Sequence, residues 1–349
     1  MPDASAAPTG TDPGEPVSAT EDPQARARRR RKRALLAFLL FLLGILMLLA
    51  VWYLLFRKPI SELPLPGITD TTMPAYSQAI YGMKQPAGVA VTPTGDRIYI
   101  AETQGDRALL VLDGSGKVVA KATPPGSTAG SRVPVYVAVN PVTSEVYASD
   151  RYAGAVFVYD RDGKYLRRFT PDASVTEWAP LGVAFDAKGD LFVGDVAPGT
   201  NYVYEFDPTG KLIQTIGKNE NMSYPNGISV DAVGHVIVAD GNNGRVLVFD
   251  PSGNRVAIVS RGVGDGQLGM PRGIAIDDHG RVVVVDTTAH QVRFYSIDAA
   301  TGALTYVNSI GTEGRQEGGL EFPTGVAADT RGRVYVSDTQ NDRLQVWSY

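Results

Sequence analysis

Two sets of residues in this chain could do chemistry, a column of carboxylates and a few imidazoles. Glu102, Asp150, Asp195, Asp240, Asp286 and Asp338 each close a short apolar run at equivalent points of a recurring pattern. Converging carboxylates supply the hard oxygen ligands that a divalent cation takes. Each of these, however, sits where its run enters a short turn, of which Gly241-Asn242-Asn243-Gly244 is one, and there an acidic side chain bonds nearby backbone amides. Recurrence in every copy is what a fold requirement predicts, so the column is read as structural. The histidines are His235, His279 and His290. A histidine metal site needs several imidazoles that converge. His235 and His279 fall between the first and second runs of their copies and His290 between the second and third, roughly 15–20 Å away along a strand. They cannot share an ion, and each reads as a surface turn residue. With no cysteine there is no disulfide, thiolate site or thiol nucleophile. The glycine-rich stretch Gly262 to Gly269 lacks the Lys-Ser/Thr and the helix of a phosphate loop. No catalytic residue, metal ligand or cofactor is assigned.

The runs that carry these residues are strands. GISVD (Gly227 to Asp231), HVIVAD (His235 to Asp240) and RVLVFD (Arg245 to Asp250) place an apolar residue at every second position and are too short for helices. Clusters of Gly, Asn, Asp and Pro separate them, and RVAIVS (Arg255 to Ser260) makes a fourth. The unit recurs six times. Its marker Pro-x-Gly stands at Pro86-Ala87-Gly88, Pro180-Leu181-Gly182, Pro225-Asn226-Gly227, Pro271-Arg272-Gly273 and Pro323-Thr324-Gly325, with a divergent copy at Pro134-Val135-Tyr136. Successive marker prolines lie 48, 46, 45, 46 and 52 residues apart. Six four-stranded units of this length predict an all-β, six-bladed β-propeller.

The consensus Pro-x-Gly-[Val/Ile]-Ala-Val, Val-Tyr-Val-[Ala/Ser]-Asp and Arg-[Val/Leu]-x-Val-[Phe/Trp] resembles the NHL repeat family, here in a membrane-anchored form of bacterial type. The resemblance covers nearly everything after residue 74. The first two copies depart most, since Tyr136 replaces the marker glycine and Gly154-Ala155 stands where Arg245 and Arg343 stand elsewhere. The resemblance implies either a binding module or a divalent-metal-dependent lyase or lactonase with its site at the propeller channel. Some propellers of this type cleave hydroxyglycine peptides with a histidine-bound zinc. The residues just before the marker prolines, Gln85, Val133, Ala179, Tyr224, Met270 and Phe322, include no histidine.

Ahead of the repeats, residues 1–33 are poor in large apolar residues and end in a run of Arg and Lys, which reads as a disordered cytoplasmic tail. Ala34 to Phe56 is free of charge and spans about 34 Å as a helix, enough to cross a hydrocarbon core. It predicts one transmembrane helix, an uncleaved anchor, with residues 57–74 as a linker and 75–349 as the propeller. Seven basic residues precede the span and two follow, so the N-terminus is expected inside and the propeller outside. Residues 1–33 carry seven Arg/Lys and five Asp/Glu, net +2, which leaves −6 of the chain's −4 on the remainder. That balance argues against nucleic acid as a partner. The sixth unit has only three runs before Tyr349, whereas YSQAIYG (Tyr76 to Gly82) matches a fourth. This N-terminal segment is expected to close the ring.

Connections from each fourth strand to the next first strand share a face with those between second and third strands, and they are the longest and most varied. A protein, peptide or glycan partner is expected on this face, with Trp178, Asn226, Arg261 and Arg272 as its contact residues. Trp178 has a second reading, as packing between blades. At the marker positions Asn226, Arg272 and Thr324 are polar whereas Ala87, Val135 and Leu181 are not, so the channel mouth is expected to be polar on blades four to six only.

Overall fold

A computed structural model of the chain describes residues 31–32, 34–47 and 73–349. The chain divides into two compact units, Met1–Asp70 and Thr71–Tyr349. In the first, 34–47 is helical, with Leu36, Phe38, Leu40, Phe41 and Leu43 among its exposed apolar side chains. Among the described residues no helix is long and apolar enough to cross a membrane. The expected span runs on from residue 48 to residue 56, outside the described residues, as do residues 1–30 and most of the linker.

The second unit is the propeller. Blade one comprises Pro86–Val91, Arg97–Glu102, Leu109–Asp113 and Val118–Ala122, each strand antiparallel to the one before it. Blades two to five begin at Pro134–Val139, Pro180–Phe185, Pro225–Val230 and Pro271–Ile276 and repeat the order. These first strands lie side by side, and the ring closes through Val326–Ala328 of blade six onto Pro86–Val91. They are therefore the inner strands, and the channel runs between them. The second and third strands are buried on both faces. Phe249, Phe294, Tyr295 and Tyr335, for example, fill the gaps between blades and are almost wholly inaccessible. Burial on both faces is why the positions between the alternating apolar residues are also largely Val, Ile and Ala.

Blade six takes its outer strand from the other end of the chain. Ala75–Ile80 pairs antiparallel with Arg343–Ser348, with Tyr76 opposite Trp347 and Ile80 opposite Leu344. The strand starts one residue earlier than expected and stops two earlier, because the chain turns at Gly82 with φ of +95°.

The marker glycines have a steric cause. At the markers of blades one to five the inner strand bulges, and where a glycine is present it faces the backbone of the next blade. A Cβ on Gly88 would lie 2.6 Å from the Val135 carbonyl oxygen, and one on Gly273 would lie 2.6 Å from that of Thr324. Gly182, Gly227 and Gly325 press in the same way on Asn226, Arg272 and Ala87. Five of the six contacts are therefore closed by backbone against backbone. The sixth, at Tyr136, is closed by a ring.

Candidate functional site

The channel narrows to a cavity of about 40 Å³ walled by Gly88, Tyr136, Gly227, Gly273 and Gly325 with neighbouring valines and isoleucines. On the side of the first-to-second-strand turns it opens into a wider vestibule of about 240 Å³, lined by Ala90, Ala138, Phe185 and Ala327 among others. On the loop-rich side the marker residues form the mouth. Asn226 is buried, and its Nδ2 donates to the Tyr224 carbonyl at 2.9 Å. Thr324 donates to the Ala87 carbonyl at 3.2 Å and shares a 2.8 Å bond with Thr339. Both are thus tied down within the fold.

Arg272 is not. Among the described residues its buried Nε has no hydrogen-bond partner, and Nη2 reaches the Met270 sulfur at 3.8 Å. Tyr136 is almost buried, and its ring sits in the cluster that contains Leu181 and Val183. Burial pushes its phenol well above the ordinary value, and the Arg272 guanidinium pulls the other way. The hydroxyl stays protonated and faces the field of the unpaired cation.

Around this mouth the backbone is strained. Gln85, Tyr224 and Phe322, each just before a marker proline, have φ of 44°, 60° and 48°. Non-glycine residues rarely adopt this region, and its occupancy points toward a functional site. The Tyr224 ring carries the Arg151 guanidinium of blade two at 5.7 Å. Phe322 is 45% exposed and meets the His290 ring edge-on, centroids 4.6 Å apart.

Of the four residues expected to form the site, the structure brings Asn226 and Arg272 together on adjacent blades. Arg261 is exposed in the connection to blade five, where it packs over Gly244 away from the channel. Trp178 sits half-buried against Phe169, Tyr204 and Phe206, with ring centroids 6.0–6.4 Å apart. Its second reading, packing between blades, describes these contacts. Tyr136 was not expected at the site. Its signal in the sequence is the missing marker glycine, since a side chain at that point has the channel and the next blade as neighbours.

The carboxylate column proves to be a set of staples. Asp240 accepts from the Ser223 amide at 2.7 Å, Asn243 Nδ2 at 2.8 Å and Arg245 Nε at 2.6 Å. Asp195 takes the Ala179 and Ala197 amides and the Thr200 hydroxyl. Each carboxylate ties the incoming connection to the turn or the third strand of its own blade. In blades four to six an arginine joins, Arg245, Arg293 or Arg343.

Two histidines correct the expectation of surface turns. His235 is 5% exposed, with Nδ1 2.8 Å from Asp231 Oδ2, and it lies under the Gly302 turn of blade five. His290 is 8% exposed, in the left-handed region and wedged against Phe322. The acid-rich group Asp277, Asp278 and His279 lies at a turn remote from the mouth, and there Asp277 is taken by Arg281 and by Tyr349 at 2.8 Å. The three imidazoles stand apart, on two faces, and the mouth carries a cation. These residues do not fit the zinc or divalent ion that the lyase reading would need.

The NHL repeat profile matches residues 222–249, 268–295 and 320–347, which are blades four, five and six. The chain carries NHL repeats. The three matched copies are those in which arginine completes the aspartate staple. Residues in this chain are 26% identical over 195 positions to a probable peptidyl-alpha-hydroxyglycine alpha-amidating lyase of Caenorhabditis elegans, covering 49% of this chain and 55% of that protein. Over 128 residues they are 29% identical to Protein brain tumor of Drosophila melanogaster, covering 35% of this chain and 11% of that one. The chain thus spans about half the length of the first relative and about a tenth of the second. Among solved structures, a streptogramin B lyase superposes with a TM-score of 0.57 at 11% identity, over 80% of this chain and 99% of that one. A nidogen/laminin complex gives 0.55 at 15%, over 70% and 84%. At such identities the likeness is one of fold.

Proposed function

We propose that the chain is a membrane-anchored, extracytoplasmic NHL-type propeller that binds a protein, peptide or glycan partner, with a protein or peptide the best fit to its mouth. The observation that carries this reading is the loop-rich face, where an unpaired arginine, an exposed phenylalanine and three strained non-glycine residues surround the channel. The nidogen/laminin complex supports it by analogy, because a propeller of this fold occurs there together with another protein. A lyase is the other class suggested by relatives, and the donor set at the channel speaks against a metal-dependent one. Arg151→Glu with Arg261→Glu in the tagged full chain is expected to cut crosslinking to its native membrane partners about ten-fold. Lys188→Glu, on the opposite face, is expected to leave crosslinking unchanged. Equal crosslinking by both variants would move the site off this face.

The address rests on the charge asymmetry around residues 34–56 and on the all-round apolar surface of the helix at 34–47. Protease added to intact cells or spheroplasts is expected to digest residues 75–349 and spare the N-terminal tail. Protection of the propeller would reverse the orientation.

A further inference from the structure

We propose that the channel mouth is a receptor for the C-terminal carboxylate of a peptide, held by the Arg272 guanidinium beside the Tyr136 hydroxyl. This rests on reading the loop-rich face as the binding face.

The argument begins with Arg272 itself. In blades four to six Arg245, Arg281, Arg293, Arg333 and Arg343 all face a carboxylate. Arg272 faces none among the described residues, and its buried Nε has no acceptor. A buried N–H without an acceptor costs free energy that is recovered when one arrives. Tyr136 adds a second donor, because burial keeps its phenol protonated. An orphan donor on Arg272 and a phenol on Tyr136, which lines the constriction, with the blade carboxylates already stapled, call for a ligand that only accepts. A carboxylate matches the planar fork of arginine and takes the phenol on its remaining lone pairs.

The shape of the channel selects a chain end. Below the mouth the space shrinks to about 40 Å³, roughly one water molecule, so a chain arriving from the loop side stops at Arg272. Tyr224, Met270 and Phe322 precede the markers of blades four, five and six, the sector that contains Arg272. They offer aromatic and thioether surface to an apolar side chain beside the carboxylate, which describes a peptide ending in an apolar residue.

The test uses the full chain in detergent micelles and three pools of fluorescent octapeptides randomised at the last three positions. One pool ends in the free acid and another in the amide. A third pool carries the amide and an internal aspartate. The acid pool is expected to bind at least about ten-fold more tightly than the amide pool, to be enriched in apolar last residues and to be competed by acetate. Arg272→Gln should abolish the difference, and Tyr136→Phe should shrink it without removing it, with both variants melting as the parent does. Equal binding of acid and amide, no binding of either, or a preference that survives Arg272→Gln overturns the proposal. Internal-aspartate peptides binding as well as free acids overturns the C-terminal source. Crosslinking of native partners that persists while all three pools fail would leave the binding face standing and sink only the carboxylate receptor.

Discussion

A chain starting at Lys84 is expected to melt about 10–20 °C below one starting at Thr71, and to aggregate on heating. The shorter chain loses Ala75–Ile80, the outer strand of blade six, together with Met83. Ile80 and Met83 are 7% and 2% exposed and pack in one cluster with Ile98, Leu112, Leu344 and Val346. Removing two buried side chains of this size costs about 2–5 kcal/mol each where the core cannot collapse. Tyr76 adds an edge-on contact with the Trp347 ring at 5.8 Å, about 0.5–1.5 kcal/mol beyond its burial. The sum is about 5 kcal/mol or more, and each kcal/mol is worth about 2–4 °C in a domain of this size. Arg343–Ser348 would become an unpaired edge in a ring that otherwise has only outer ones. Equal melting temperatures by calorimetry would show that the ring closes without the N-terminal strand.

That strand was legible in the sequence because two defects matched, a sixth unit one strand short and a spare strand pattern at Tyr76 to Gly82. The blades were legible for a related reason. Period, turn chemistry and the marker proline act locally, and six copies in register reinforce one another. The site was legible only in part. Asn226 and Arg272 follow from the marker position, which places any residue there at the mouth. Whether such a residue is free depends on neighbours from other blades, and Asn226 proves to be tied to Tyr224 while Arg272 is not. Trp178 shows the limit from the other side. An aromatic in a long connection has the same local sequence whether it meets a partner or, as here, Phe169 and Phe206. His235 failed for the same reason. Its turn is a surface turn by pattern, but the Gly302 turn of the next blade covers it.

Asp338→Ala is expected to destabilise the propeller by about 3–5 kcal/mol, read as a shift in urea midpoint at constant slope. Asp338 is fully buried and accepts from the Glu321 amide at 2.7 Å, Asn341 Nδ2 at 2.8 Å, Arg343 Nε at 2.7 Å and Gln345 Nε2 at 2.9 Å. Its removal leaves Arg343, whose side chain is 3% exposed, as a buried cation without its carboxylate, held by the Gln316 and Gly319 carbonyls and by Tyr81. The equivalent residue of blade one, Glu102, accepts only the Lys84 and Asp106 amides, at 2.9 and 3.2 Å, and burial pushes its carboxyl up. Glu102→Ala should therefore cost less, about 1–2 kcal/mol. Adding Arg343→Met to Asp338→Ala removes the stranded charge and should recover part of the loss, so the two substitutions are non-additive. A cation held by the column predicts something else: chelator would lower the melting temperature of the parent, and the Glu102 and Asp338 variants would lose that response equally. An Asp338→Ala cost no larger than that of Glu102→Ala, with no rescue by Arg343→Met, would mean that the arginine staple does not hold blade six to its incoming loop.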